Sequence, residues 1–263
     1  MSEKPKTIII TGGASGIGYA FAEHLAQAGH RIVIADLRGA EEAAGRLKTA
    51  GHQVLGVQAD VVSEADVAHM AEAATAEFGG IDGLVNNAGL FTTLALKPFE
   101  QITNQEWMRV MEVNTLGPFK CAKAVLPALR KSGRGRIVNI GSVNAWCGER
   151  NLLAYSISKG ALLTLTRNLG DSLGPMGIRV NQINPGWVLT ENEIKIKRAE
   201  GMPDDWPNRL PVTTTPSGSL IDPDELAATV CFFLSDLAPR VSGTIMDYEQ
   251  YPVIGRNPPK VTV

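Results

Sequence analysis

The order of strand, glycine turn and helix at the start of the chain constrains its fold more than any other feature. Thr7-Ile-Ile-Ile10 is a short β-branched run of the kind that forms a buried strand. It passes at once into Thr11-Gly-Gly-Ala-Ser-Gly-Ile-Gly18, and Tyr19 to Ala28 then reads as helix. In that context Gly12, Gly16 and Gly18, spaced Gly-x-x-x-Gly-x-Gly, let backbone N–H groups approach a pyrophosphate. The helix N-terminus adds partial positive charge behind it. The predicted cradle is Gly12, Ser15, Gly16, Ile17 and Gly18.

The rest of the chain repeats the strand-and-helix rhythm. Arg31-Ile-Val-Ile-Ala-Asp36 is a second strand ending in an acid about 20 residues past the turn, where a carboxylate accepts both ribose hydroxyls of adenosine and repels a 2′-phosphate. Arg38 is the competing signal, but no Lys or Arg lies within Thr11–Gly18, so NAD is expected over NADP. Val54–Ala59 reads as a third strand ending in Asp60-Val61, and Ser63–Phe78 as a helix. A fourth strand from Asp82 runs into Asn86-Asn87-Ala88-Gly89. Helix is expected from Asn104 to Lys131, distorted near Asn114 because Gly117-Pro118 follows. Arg136–Ile140 is a fifth strand that delivers Ser142 at its end. Ile178–Ile183 is a sixth, running into Asn184-Pro185-Gly186, and Pro223–Leu234 reads as helix. Such alternation predicts one α/β domain over residues 1–263, a Rossmann-type doubly wound parallel sheet of about seven strands with helices on both faces. Ligands then bind at the carboxyl ends of the strands, where every polar cluster named so far falls.

The stretch from Ser142 to Lys159 carries the chemistry. Leu162, Leu165 and Leu169 recur at helix spacing, which places Tyr155 and Lys159 at i and i+4 on one face. A phenol titrates near pH ~10, and a fixed ammonium beside it favours the phenolate. The pair makes a general acid–base group, with Ser142 placed to hold the oxygen being protonated or deprotonated.

Composition excludes several other classes. With 25 basic and 27 acidic residues and no basic block, electrostatics points to no nucleic acid or anionic membrane as partner. Cys121, Cys147 and Cys231 are scattered, without a CxxC, and read as reduced thiols and not a disulfide frame or zinc site. No metal site is expected. No stretch approaches the ~18 apolar residues of a membrane span, and the polar N-terminus is no signal peptide, so a soluble, cytoplasmic protein is expected.

Taken together, TGGASGIG, Asn86-Asn87-Ala88-Gly89, Asn114, Ser142, Tyr155-x-x-x-Lys159 and Pro185-Gly186 resemble, in order and spacing, the single-domain branch of the short-chain dehydrogenase/reductase family. The resemblance covers nearly the whole chain. It implies that Tyr155 is the acid–base, that Lys159 lowers its pKa and bonds the nicotinamide ribose, and that Ser142 binds the substrate oxygen. It also implies that Asn114 holds a water in a proton path through Lys159. Asp60 and Val61 would touch adenine, Asn87, Ala88 and Gly89 would line the adenosine side, and Val188 with Thr190, beyond Pro185-Gly186, would fix the carboxamide.

The implied activity is NAD-dependent interconversion of a secondary alcohol and a ketone. Asn144, Glu149, Arg150, Trp187 and Trp206 are candidate substrate contacts, with Trp206 in a lid over about residues 187–220. That density of donors and acceptors suits a sugar, polyol or sugar acid. Two alternatives stand beside it, a 3-oxoacyl-carrier-protein ketoreductase and a non-catalytic dinucleotide-binding sensor. Where the family commonly closes the last strand with a Val-Asp-Gly-Gly-like turn, this chain has Gly243-Thr-Ile-Met-Asp-Tyr-Glu249. The apolar tail beyond it, with Tyr251, Val253 and Ile254, is expected to pack across an interface of a homotetramer or homodimer.

Overall fold

The computed structural model describes residues 4–91, 97–147 and 149–250. A central sheet is built from β1 (Thr7–Thr11), β2 (Arg31–Asp36), β3 (Val54–Gln58), β4 (Gly83–Asn86), β5 (Arg136–Ile140), β6 (Arg179–Pro185) and β7 (Ile245–Tyr248). These seven strands lie in the order β3-β2-β1-β4-β5-β6-β7, and every pairing is parallel. The chain order reverses between β1 and β4, which opens a crevice at their carboxyl ends.

Parallel strands are covered on both faces, so they are apolar at successive positions. Ile8, Ile10, Ile32 and Ile34 point to one face, where they meet Phe21 and Leu25 of α1 (Gly16–Gln27), Leu47 of α2 (Ala40–Thr49) and Val230 and Phe233 of α9 (Pro223–Leu234). Ile9, Val33, Leu84 and Ile137 point to the other. There they pack on Met70 of α3 (Glu64–Phe78), Val125 and Leu129 of α5 (Gly117–Ser132) and Leu173 of α7 (Leu153–Leu173). Three further helices, α4 (Asn104–Met111), the single turn α6 (Asn144–Cys147) and α8 (Glu191–Ala199), lie nearer the crevice.

Helix starts follow local chemistry. Ser63 caps α3 by accepting from Asp66 N, and Thr103 with Glu106 and Asp222 with Glu225 form capping boxes at α4 and α9. The helical span predicted from Asn104 to Lys131 is three pieces. A π turn, Glu112–Leu116, separates α4 from α5. Pro118 has no N–H and its ring would strike the carbonyl of residue 114, so the backbone widens there. Gly117 also packs where a Cβ would stand 2.9 Å from Val61.

Two elements depart from the sequence-based expectation. α2 has few large apolar residues and buries mainly Ala40, Ala43, Ala44 and Leu47, too faint a stripe to mark it in advance. α8 lies within the expected lid, where the sequence marks no helix; it is started by Thr190, whose side chain accepts from Glu193 N. No helix among the described residues is long and apolar enough to cross a membrane. The tail residues Tyr251, Val253 and Ile254 lie outside the described residues.

Candidate active site

A cavity of about 1080 Å³ runs along the carboxyl ends of the strands. At one end the glycine turn forms its wall. Gly12 and Gly16 have φ of 62° and 55°, the left-handed region that favours glycine. A Cβ on Gly12 would stand 2.8 Å from Ala88 Cα, and one on Gly18 would overlap Gly12 O and the Asn87 amide. The Ser15 side chain makes no cap bond to α1, and no acid occupies the first turn. The N–H groups there are free of local side-chain acceptors and the field is positive. This cradle fits a dinucleotide pyrophosphate.

Thr11, overlooked in the sequence, is the hub behind the cradle. Its buried Oγ1 accepts from Asn87 N and Ala88 N, each at 3.1 Å. The Asn87 amide donates to Thr11 O (3.1 Å) and Gly12 O (2.8 Å). Asn87 lines the cavity, but its side chain is a strut between β4 and the glycine turn. Asp36 closes this end, its carboxylate accepting from Ala14 N at 3.0 Å and Arg38 N at 3.3 Å. Asp60 and Val61 line the wall beyond it, and Arg38 is exposed beside Asp36.

Ser142, Tyr155 and Lys159 meet at the opposite end, all three buried and all lining the cavity. Ser142 leaves β5 with its N–H donating to Asn184 Oδ1 at 3.2 Å, and Asn144 N donates to Ser142 Oγ at 3.2 Å. The Lys159 ammonium donates to Ile140 O at 2.8 Å and stands 5.7 Å from the centre of the Tyr155 ring. Burial pushes the Tyr155 phenol up to about 12, against the pull of a hydrogen bond with Ser142. Burial also pushes Lys159 down to about 8. Desolvation, which disfavours the charged form of each group, sets the direction of both shifts.

Asn114 is fully buried in the π turn and does not line the cavity. Its amide is taken up by the loop after β4: Oδ1 accepts from Leu90 N at 2.7 Å, and Nδ2 donates to Leu90 O at 3.2 Å and Ser158 Oγ at 3.0 Å. The side chain thus joins that loop to α7 instead of reaching toward the ligand space.

The candidate substrate contacts divide. Asn144, Glu149 and Trp187 line the cavity beside Ser142, as do Pro185, Gly186, Val188 and Thr190, while Gly89 lines it near Lys159. Arg150 and Trp206 do not line it, which corrects the expectation for both. Arg150 is exposed in a turn. Trp206 is 1% exposed and stacks on Trp187 with ring centres 5.5 Å apart, so it is a packing anchor behind the cavity wall. A tryptophan can bury 150–250 Å², enough to seat a polar segment on the core. The Trp187 indole in turn donates to Glu193 Oε1 at 3.0 Å.

Several lining residues escaped the sequence because they are far apart in it. Phe91 packs on the Tyr155 ring at 5.1 Å, and Cys147 and Glu249 join the Ser142 end. Behind them Asp247 Oδ1 accepts from both Asn184 Nδ2 and Trp146 Nε1, each at 2.8 Å, tying β7 to β6 and α6. No group of His, Cys, Asp and Glu among the described residues is arranged to hold a metal.

A family model described as Enoyl-(Acyl carrier protein) reductase matches residues 12–249. The chain belongs to the short-chain dehydrogenase/reductase family. Among curated relatives, this short-chain dehydrogenase/reductase is 36% identical over 242 residues to cis-4-hydroxycyclohexanecarboxylate dehydrogenase of Sinomonas cyclohexanicum, covering 92% of this chain and 94% of that one. It is 37% identical over 240 residues to D-threitol dehydrogenase of Mycolicibacterium smegmatis, covering 90% and 89%. The crystal structure of levodione reductase superposes with a TM-score of 0.83 at 33% identity, over 93% of this chain and 96% of that one. Members of the family bind a nicotinamide dinucleotide, and the named relatives are dehydrogenases or reductases. The chain is accordingly an oxidoreductase acting on CH–OH groups with such a cofactor.

Proposed function

We propose that this enzyme uses NAD to interconvert a secondary alcohol and a ketone in a small polyhydroxylated compound, a sugar, polyol or sugar acid. The observation that carries this is the meeting of Ser142, Tyr155 and Lys159 at one end of a cavity whose other end is the glycine cradle and Asp36. Gly12, Ser15, Gly16, Ile17 and Gly18 would hold the pyrophosphate, and Asp36 the adenosine ribose. Asp60, Val61, Asn87, Ala88 and Gly89 would hold the adenine side. Lys159, Pro185, Gly186, Val188 and Thr190 would hold the nicotinamide half. When bound, NAD supplies the hydride acceptor, or NADH the donor. The Asp36 carboxylate at that end of the cavity supports NAD over its 2′-phosphorylated form.

The proton is handled by this chain's own groups. The Tyr155 phenol holds its proton through the neutral range, so it is ready to donate to a carbonyl oxygen in reduction. The phenolate forms as that proton leaves, and the Lys159 ammonium opposes the cost of the developing charge; oxidation runs the same step in reverse, with the Tyr155 phenolate taking the alcohol proton. The Ser142 hydroxyl fixes the substrate oxygen between them. Asn114 acts by position, holding the loop at Leu90 against Ser158.

Residues 187–220, with Trp187, Asn192 and Glu193 at the cavity, form the cover of the substrate end. A polyol substrate is supported by these polar groups and by the similarity to D-threitol dehydrogenase. A cytoplasmic homotetramer is the assembly we favour, supported by the exposed apolar side chains of Met108, Leu116, Phe119 and Ile157. Incubation with NAD and a panel of polyols, sugars and hydroxy acids, followed by NADH absorbance, tests the reading. Turnover of polyols or sugar acids is expected. No turnover of any member, with NAD bound, would overturn it in favour of a sensor.

A further inference from the structure

The last strand carries an acid into the substrate end of the cavity. Pro185 of β6 lies opposite Tyr248 of β7, and the next residue, Glu249, lines the cavity with Ser142, Tyr155 and Trp187. Two features hold its carboxylate there. Gly186 N donates to Tyr248 O at 2.9 Å, and a Cβ on Gly186 would overlap the Glu249 carboxylate. The missing side chain at 186 is what leaves room for the acid. Beside it, the Gln250 amide accepts from Ser217 N at 2.9 Å and Ser217 Oγ at 2.7 Å, and donates to Ser219 O at 2.7 Å. That clamp fastens the backbone carrying Glu249 to the loop opposite.

The carboxylate is short of donors where it meets the cavity. Oε1 accepts from Gln250 N, and no described residue donates to Oε2. Burial, with the nearby charge of Asp247, raises its pKa. The local field is negative: beyond the effect of burial, the Cys147 thiol is pushed up by Glu149, Glu249 and Asp247. Glu193, also at this end, already accepts the Trp187 indole. Besides Lys159, the lysines that line the cavity on this side are Lys195 and Lys197 of α8; Lys197 pairs with Glu200 at 2.7 Å, and Lys195 is solvent-exposed.

We propose that Glu249 determines specificity by accepting a hydrogen bond from a substrate hydroxyl, so that a neutral polyol or sugar is selected over a sugar acid carrying its carboxylate at that end. The inference rests on the polyhydroxylated-substrate reading and narrows it. A half-buried carboxylate facing the cavity keeps acceptor capacity for a further donor, and a substrate hydroxyl supplies one. A substrate carboxylate there would set two like charges together in a partly dehydrated space.

The test compares wild type with E249Q, as full chains with NAD, on matched pairs: xylitol and xylonate, sorbitol and gluconate, glycerol and glycerate. Thermal midpoint and calorimetric NAD affinity are measured alongside, and E249N replaces E249Q if the latter does not fold. Wild type is expected to favour the neutral member of each pair by about tenfold or more in kcat/KM. In E249Q the KM of the neutral member should rise about tenfold with kcat changed less, and the preference over the acid should shrink, while NAD affinity holds. Turnover of polyols with KM and preference unchanged in the variant would overturn the role of Glu249 and leave the polyol reading standing. Preference of wild type for the acids would overturn the inference while keeping the dehydrogenase. No turnover of any pair would remove the polyhydroxylated-substrate reading itself, and the inference with it.

Discussion

Tyr155 and Lys159 are driven in opposite directions by the same burial, the phenol up to about 12 and the ammonium down to about 8. Each is pushed toward its neutral form, and the sign for stability follows. The folded Lys159 pKa lies below its ordinary 10.5, so burying the charged form opposes folding below about 8. That penalty is relieved as pH rises from about 8 toward 10.5. Lys159→Met lacks the penalty, so its thermal midpoint relative to wild type should fall between pH ~8 and ~10. A difference that stays constant with pH would refute this. Tyr155→Phe should keep NAD affinity within a few-fold by calorimetry and drop kcat below about a tenth of wild type, more than ~1.4 kcal/mol. At the far end, Asp36→Ala removes the carboxylate facing the ribose. It should raise the NADP-to-NAD ratio of kcat/KM by roughly tenfold, about 1.4 kcal/mol, in steady-state assays. A wild type that already uses both equally would shift the credit to Arg38.

At the scale of elements, the site is held by short connections between strands that are distant in sequence. Asn87 ties β4 to the glycine turn, Asn114 ties the loop after β4 to α7, and Asp247 ties β7 to β6 and α6. Trp206 does the same for the segment between β6 and α9. Its indole is buried against Trp187 behind the cavity, and truncation there leaves a hole. Trp206→Ala should therefore destabilise the protein by about 3–5 kcal/mol, read as a lower midpoint in denaturant. Substrate KM should rise through the loosened Trp187, while Trp206→Phe recovers most of both. A stable Trp206→Ala variant would mean that the stack carries little of the fold.

For the whole molecule, a homotetramer is the expected species by light scattering. Truncation after Gln250 should lower the assembly state or raise substrate KM, with NAD affinity unchanged. A truncated tetramer with unaltered kinetics would show that the tail has no such role. What could be read along the chain and what could not divide on one physical ground. Apolar alternation, glycine spacing and caps are local, so the strands, most helices, the dinucleotide cradle and the Tyr155–Lys159 pair were legible without coordinates. The distortion at Asn114 was legible too, because Pro118 acts within one helical turn. Burial and long-range contact are not local. Trp206, a lid aromatic on paper, became core because Trp187 stacks on it. Asn114 and Asn87 became struts because backbone groups of distant loops reach their amides. The direction of the Tyr155 pKa was set by dehydration in a cavity that forms only when β5, β6 and α7 come together. Glu249, the last residue matched by the family model, shares the cavity with Ser142 because β7 closes the sheet beside β6 and Gly186 leaves room for a carboxylate.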